Sequence, residues 1–312
     1  MPVSRISAWV RAVRAEYMPF VVLMFGAGAA AGALEARAFD LPRALVACAS
    51  LLLIYVAAAL TNEHFDYPGD IVNRSPGRFS GGSRTLVTGA MTRDAVVRGA
   101  AIAIAALGAA SGLLLALTPH ALRMPTLALL VLGLALGLGY SAPPVRLCQR
   151  SLGEISAALG LGVFPALTGW VTQGGARTDP LPWLIAMPAF CALLAFRTLA
   201  GIPDIRADEA VRRRTYAVVF GPRGAAGIAA AAAIAASLGG ILLWQDRIVS
   251  GWYGAAYLVT VPHALWLAVT ALAAVRRPES ARPMDGVLLN GLLFALWFGL
   301  IPLAFFARLV RG

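Results

Sequence analysis

Asn62, Asp66 and Asp70 stand four residues apart where a long apolar run, Ala44 to Leu60, gives way to polar sequence. If the helix continues that far, the three side chains stack on one face. A second stretch, Gly201-Ile-Pro-Asp204-Ile-Arg-Ala-Asp208-Glu209, again closes an apolar run with aspartates four apart. Acidic pairs at the mouths of membrane-length helices are costly unless a cation sits between them. Facing carboxylates suit Mg²⁺, which wants hard oxygen ligands and fills its remaining positions with water and phosphate. Arginines follow each pair, and guanidinium matches phosphate oxygens. Together they describe a site for an isoprenoid diphosphate, with its head group on metal and arginine and its tail among apolar helices. Neutralising the leaving diphosphate makes the allylic carbon cationic, able to alkylate an electron-rich acceptor.

The elements that must hold these residues are membrane helices. The 312-residue chain is 59% hydrophobic and 13% charged, against about a quarter charged in soluble domains. Apolar runs of this length predict an all-α polytopic protein and a single domain over residues 1–312. Nine spans are expected, at 19–34, 44–61, 95–117, 125–140, 152–172, 182–200, 224–244, 252–274 and 286–307. The formal charge of +11 invites a nucleic-acid reading, but all 26 basic residues are arginines that sort by side. Arg5, Arg11 and Arg14 precede the first span. Arg74, Arg78, Arg84, Arg93 and Arg98 follow the second, Arg146 and Arg150 the fourth. Arg206, Arg212, Arg213, Arg214 and Arg223 follow the sixth, and Arg276, Arg277 and Arg282 the eighth. The opposite loops hold Arg37, Arg43, Arg123, Arg177 and Arg247. The positive-inside rule then puts the N-terminus and both acidic motifs in the cytoplasm, with the bacterial inner membrane as the expected location.

Residues 1–18 set Trp9, Val10, Val13 and Tyr17 against Arg11 and Arg14, the pattern of an interfacial helix. A signal peptide is the rival there, because Phe20 to Ala36 is apolar and ends in small residues. Pro68 predicts an end or kink of the second span near Tyr67, leaving Asp70 on a turn. The loop from Ile71 to Gly89, with Phe79-Ser-Gly-Gly-Ser-Arg84 at its centre, is basic and rich in free backbone N–H groups, as an anion site requires. Tyr140-Ser-Ala-Pro-Pro-Val-Arg146 forces an extended exit from the fourth span. The motifs echo one another 138 residues apart: Asp66 and Asp70 precede Arg84-Thr85, and Asp204 and Asp208 precede Arg214-Thr215. Cys48, Cys148 and Cys191 lie too far apart in sequence to form a disulfide or zinc pattern. His263 and Asn290 fall within late spans, where interhelical hydrogen bonding is the default.

The Asn62-x3-Asp66-x3-Asp70 motif, the Tyr140-to-Arg146 exit and Pro203-Asp204-x3-Asp208 with its following Arg-Thr resemble the UbiA superfamily of intramembrane prenyltransferases. The likeness spans essentially the whole chain and is nearest the 1,4-dihydroxy-2-naphthoate polyprenyltransferase branch of menaquinone synthesis. The resemblance implies nine helices around a cavity, with Asp66, Asp70, Asp204 and Asp208 holding two Mg²⁺ ions and Asn62 supporting the first pair. It implies Arg74, Arg84, Arg146 and Arg214 on the diphosphate or a carboxylated acceptor, and Tyr140 against the allyl cation. The expected partners are an isoprenoid diphosphate, a small aromatic acceptor and membrane lipid, not nucleic acid. Glu63 departs from relatives that carry Asp after the Asn, and could still assist a metal through water. The chain has no lysine, where the 4-hydroxybenzoate branch often places one after the Tyr. His64 is a candidate base for the acceptor. Two alternatives use the same acids: a membrane terpene cyclase without a second substrate, and a transporter whose carboxylates carry protons or cations.

Overall fold

The computed structural model describes residues 4–74, 76–276 and 281–311, and the side chains of 281–283 are not among them. Arg277, the side chain of Arg282 and the first three residues of the amphipathic stretch therefore lie outside the described residues. The helices are α1 (Arg5–Ala12), α2 (Met18–Ala36), α3 (Leu41–Val72), α4 (Arg93–Leu117), α5 (His120–Gly139), α6 (Gly153–Ala158) and α7 (Phe164–Thr172). They continue with α8 (Leu181–Ala200), α9 (Ile205–Ala210), α10 (Tyr216–Gln245), α11 (Gly251–Ala255), α12 (Tyr257–Ala274) and α13 (Ala281–Arg311). Among the described residues nine helical segments are long and apolar enough to cross a membrane. The fifth joins α6 to α7 through a π-turn at Leu159–Val163, and the eighth joins α11 to α12. The chain is an integral membrane protein.

Local signals set the helix ends. Asp40 caps α3 by accepting from Arg43 N–H at 2.9 Å, and Thr92 caps α4 by accepting from Ala95 N–H at 3.2 Å. Thr215 caps α10, which starts at Tyr216, eight residues before the apolar run expected at 224. Gly221 breaks α10 at φ 70° just before Pro222, so its first turn leans away from the membrane portion.

Pro68 does not end α3. The helix continues to Val72, so Asn62, Asp66 and Asp70 share one face as their spacing allows. The reason is tertiary: the Arg84 guanidinium donates to the carbonyls of Asp70 and Asn73, taking over helix-end acceptors that would otherwise be orphaned.

The helix α2 joins two groups. On one side it meets α7, which packs on α5 and α3, with α4 outside α3. On the other it meets α13, which packs on α8 and α12, with α10 between those two. At the α2–α7 crossing the backbones touch. A Cβ on Gly28 would lie 1.9 Å from the Ala166 carbonyl oxygen, and one on Gly169 would lie 2.2 Å from that of Phe25. Small residues allow this approach. Phe196, Tyr257, Phe294 and Phe298 fill the second group. His263 Nε2 and Asn290 Oδ1 meet at 2.8 Å between α12 and α13, while Trp297 N–H donates to His263 Nδ1 at 3.1 Å, giving the expected interhelical bond. The three cysteines are free. The segment α1 buries Ala8 and Ala12 against Leu60 and Val96, leaving Val10 largely outward, so it packs on the bundle through its small residues.

Candidate active site

The first acidic pair sits on the last turns of α3, closed over by the glycine-rich loop. Gly82, at φ 76°, lies so close to Asp70 that a Cβ there would fall 2.2 Å from its carboxylate. The loop is tied down by Glu63, which is 1% exposed. One Glu63 oxygen accepts from Ser83 Oγ at 2.5 Å and from Thr85 Oγ1 at 2.8 Å. Glu63 thus serves the loop and does not line the cavity containing the aspartates. Asn62 does line it, accepting from Ser141 Oγ at 2.6 Å.

The second pair sits where α8 has ended and α9 begins. It is held by side chains and by the first pair's own loop. Asp204 accepts from Asn73 Nδ2 at 2.8 Å and from Gly81 N–H at 2.9 Å. Asp208 accepts from Thr215 Oγ1 at 3.2 Å. Arg213 crosses between the pairs, bonding Asp66 and lying 3.6 Å from an Asp208 oxygen. Burial raises the Asp208 carboxyl to about 7, where Arg213 opposes the rise and repulsion from Asp204 and Asp66 adds to it. Asp204 is also raised by burial, against the pull of Gly81 N–H and Asn73. An added cation would offset this burial penalty and favour the ionised form of both.

All four aspartates, Asn62, Asn73, Arg213, Thr215 and Glu154 line one polar cavity of about 80 Å³. Arg14, Asn62, Tyr140 and Arg197 line both this cavity and an apolar one of about 150 Å³, walled by Leu51, Ile54, Leu136, Leu161 and Phe164. Arg197 donates to Tyr140 Oη at 3.1 Å, and its buried Nε has no partner. Among the described residues no carboxylate pairs with Arg14 or Arg197. Two cations at the neck between a polar and an apolar chamber leave a place for an anion.

Several expected residues lie elsewhere. Arg214 is exposed and outside the polar cavity; its neighbour Arg213 enters instead, on the same side as Thr215, because successive residues of this extended segment point to opposite sides. Arg74 is exposed, and Arg146 is half-buried but does not line the cavity. Arg84 is spent on the carbonyls of α3. His64 meets Arg93 at 3.3 Å, away from the cavity. Arg14, Arg197, Asn73 and Glu154 were not singled out by sequence reading. Arg197 carried a usable signal, a lone arginine inside an apolar run.

The donor set fits Mg²⁺. Four carboxylates and two amides offer hard oxygens, yet among the described residues no three acidic, His or Cys side chains converge into a closed cage. That suits an ion completing its shell with phosphate and water.

The chain matches the UbiA prenyltransferase family over residues 21–298. A search of curated proteins returned no match. A UbiA homolog from Aeropyrum pernix K1, in its apo form, has TM-score 0.63 and 20% identity, with 90% of this chain and 96% of that one covered. A UbiA homolog from Archaeoglobus fulgidus, solved with DMAPP and Mg²⁺, has TM-score 0.62 and 16% identity, covering 95% and 99%. A structure described as digeranylgeranylglyceryl phosphate synthase has TM-score 0.59 and 13% identity, covering 97% and 99%.

Proposed function

The chain belongs to the UbiA prenyltransferase family, and from that premise we propose that it transfers a polyprenyl group from an isoprenoid diphosphate to a small aromatic acceptor. The observation that carries this reading is the shared neck: an acidic, arginine-braced chamber and an apolar one meet at Arg14, Asn62, Tyr140 and Arg197, which line both. The similar protein from Archaeoglobus fulgidus is described with DMAPP and Mg²⁺ bound, and another of its structures with GPP and Mg²⁺. In this chain Asp66, Asp70, Asp204 and Asp208 would hold Mg²⁺. When bound, the metal would supply positive charge to the leaving diphosphate.

The rest is done by the protein's own groups. Arg213 adds a guanidinium to the leaving group's side of the chamber. Leu51, Ile54, Leu136 and Phe164 receive the tail and exclude water from the allylic carbon. The C1–O bond breaks with its electron pair leaving on diphosphate, a ring carbon of the acceptor supplies the pair for the new C–C bond, and that carbon then loses its carboxylate as CO₂, the bonding pair returning to the ring. Tyr140 stands at the neck between these partners, its ring available to a passing cation. Arg14 and Arg197 suit an acceptor that carries a carboxylate. 1,4-Dihydroxy-2-naphthoate is such an acceptor, which makes quinone synthesis of the menaquinone type the reading we favour. The arginine distribution favours a cytoplasmic opening of the site in a bacterial inner membrane.

The test is pyrophosphate release by the purified protein with Mg²⁺ and geranylgeranyl diphosphate, with and without 1,4-dihydroxy-2-naphthoate, the lipid product being identified by mass. Release only with the naphthoate, yielding a prenylated, decarboxylated quinol, is the expected result. A cyclic hydrocarbon formed without acceptor would assign a cyclase instead. No release with this or any other aromatic acid would sink the acceptor assignment.

A further inference from the structure

Glu154 lies in the first turn of α6, outside both acidic motifs, and is 5% exposed. One of its oxygens accepts from the backbone N–H of Tyr216 at 2.7 Å; the other is buried without a partner. Tyr216 is the first residue of α10, where a helix has an N–H that its own turns cannot satisfy. The short segment between α9 and α10 is therefore fastened at both ends. At its start, Val211 N–H donates to the Ala207 carbonyl at 3.3 Å and Arg212 N–H to that of Glu209 at 3.0 Å. At its end, the fastening comes from a different membrane crossing. Between them stand Arg213, which reaches Asp66 and Asp208, and Thr215, which donates to Asp208.

We propose that Glu154 is the positioning residue of this half-site: by holding the Tyr216 N–H it fixes Arg213 and Thr215 against the acidic pairs. The claim rests on the reading of the polar cavity as the diphosphate chamber. A hydrogen bond to an ionised acceptor is among the stronger ones, and small displacements of an orienting group are expensive for chemistry. What Glu154 supplies is a carbonyl-type acceptor at one point, so an amide can do the same work. A direct metal ligand or a proton acceptor could not be replaced in that way.

The full-length protein in detergent is assayed with Mg²⁺, geranylgeranyl diphosphate and 1,4-dihydroxy-2-naphthoate. Glu154→Ala should raise KM for the diphosphate roughly tenfold while KM for the acceptor stays within about twofold. Glu154→Gln should recover most of the loss, to within roughly threefold of wild type. In an Arg213→Gln background, adding Glu154→Ala should cost less than about twofold more, because both act through one contact. If Glu154→Gln is as impaired as Glu154→Ala, the charge acts directly and the positioning role is wrong. If the two losses multiply, the effect does not run through Arg213.

Should Glu154→Ala fail to fold, Tyr216→Pro replaces it. Proline is tolerated at a first helical position and suits the extended Thr215 before it, yet it deletes the N–H. Tyr216→Ala, which trims the side chain but keeps the N–H, separates the two changes. A substrate-free readout distinguishes failure of the inference from failure of the assigned reaction. Tryptic cleavage after Arg212, Arg213 and Arg214, measured against cleavage at Arg37, should accelerate roughly tenfold in Glu154→Ala and return towards wild type in Glu154→Gln. Unchanged cleavage in Glu154→Ala overturns the anchor whatever the enzyme turns over.

Discussion

The two acidic half-sites look alike in sequence and are built differently. Asp66 and Asp70 ride on a continuous helix, and the loop above them is fitted by backbone: Gly82 lies against Asp70, and Arg84 takes the carbonyls at the end of α3. Asp204 and Asp208 lie at the start of a six-residue helix and are held by side chains and borrowed groups. Two of those groups, Gly81 N–H and Asn73, come from the first half, while Arg213 goes the other way to Asp66. The halves are cross-braced. A repeated motif therefore marks two places, but not two copies of one arrangement.

The sharpest way to test the bracing is to remove one acid from each half. Asp66→Asn and Asp204→Asn should each lower pyrophosphate release by at least roughly a hundredfold, measured at saturating Mg²⁺. An intact rate in either would make that half dispensable. Next comes the echo itself. Arg213→Gln should raise KM for the diphosphate by roughly ten- to a hundredfold, whereas Arg214→Gln, at an exposed position, should change it less than about twofold. The reverse ranking would restore the repeat as a guide to role.

A smaller effect compares backbone sites. Gly82→Ala meets the Asp70 carboxylate as well as an unfavourable φ, while Gly89→Ala, at φ 70°, meets nothing within 4 Å. The second should cost about 1–2 kcal/mol of stability; the first should cost more and also weaken Mg²⁺ binding, followed by titration calorimetry. Equal losses would mean that the loop does not press on Asp70. Smallest is a contrast with the opposite membrane face. Asp40 is held below the ordinary carboxylate range, first by Arg43 N–H and then by its guanidinium, with burial opposing both. Its contribution is present above the unfolded value and is lost as pH falls through the lowered folded one. Asp40→Asn should therefore lower thermal stability modestly at neutral pH and flatten the acid side of the profile below about pH 4, where the wild type loses the same contribution.

Much of this was legible in the sequence, and the omissions have physical reasons. Apolar length alone located the nine crossings, since a bilayer admits few alternatives. Helix limits were less accessible: α3 outlasts Pro68 because Arg84, fourteen residues on, satisfies its end. The four aspartates were readable because carboxylates beside apolar runs need a reason. Arg14 and Arg197 were not, the first because it looked like an orientation charge, the second because it vanished into an apolar average. Glu63 was recognised as a departure, but its task as an anchor for Ser83 and Thr85 depends on how the loop folds back.

The seam between α2 and α7 carries one more implication. With backbone against backbone at Gly28 and Gly169, no side chain stands between the two helices to be rotated or trimmed. That seam is a fixed datum within the bundle. The wall of the apolar chamber is looser at α5, where a Cβ at Gly133 would come 3.7 Å from Ile54 and both residues line the chamber. On the proposed reaction, the part of the chamber wall that a substitution can reshape is therefore carried by α3 and α5. A bulky residue at position 133 would shorten the longest tail accepted without disturbing the seam.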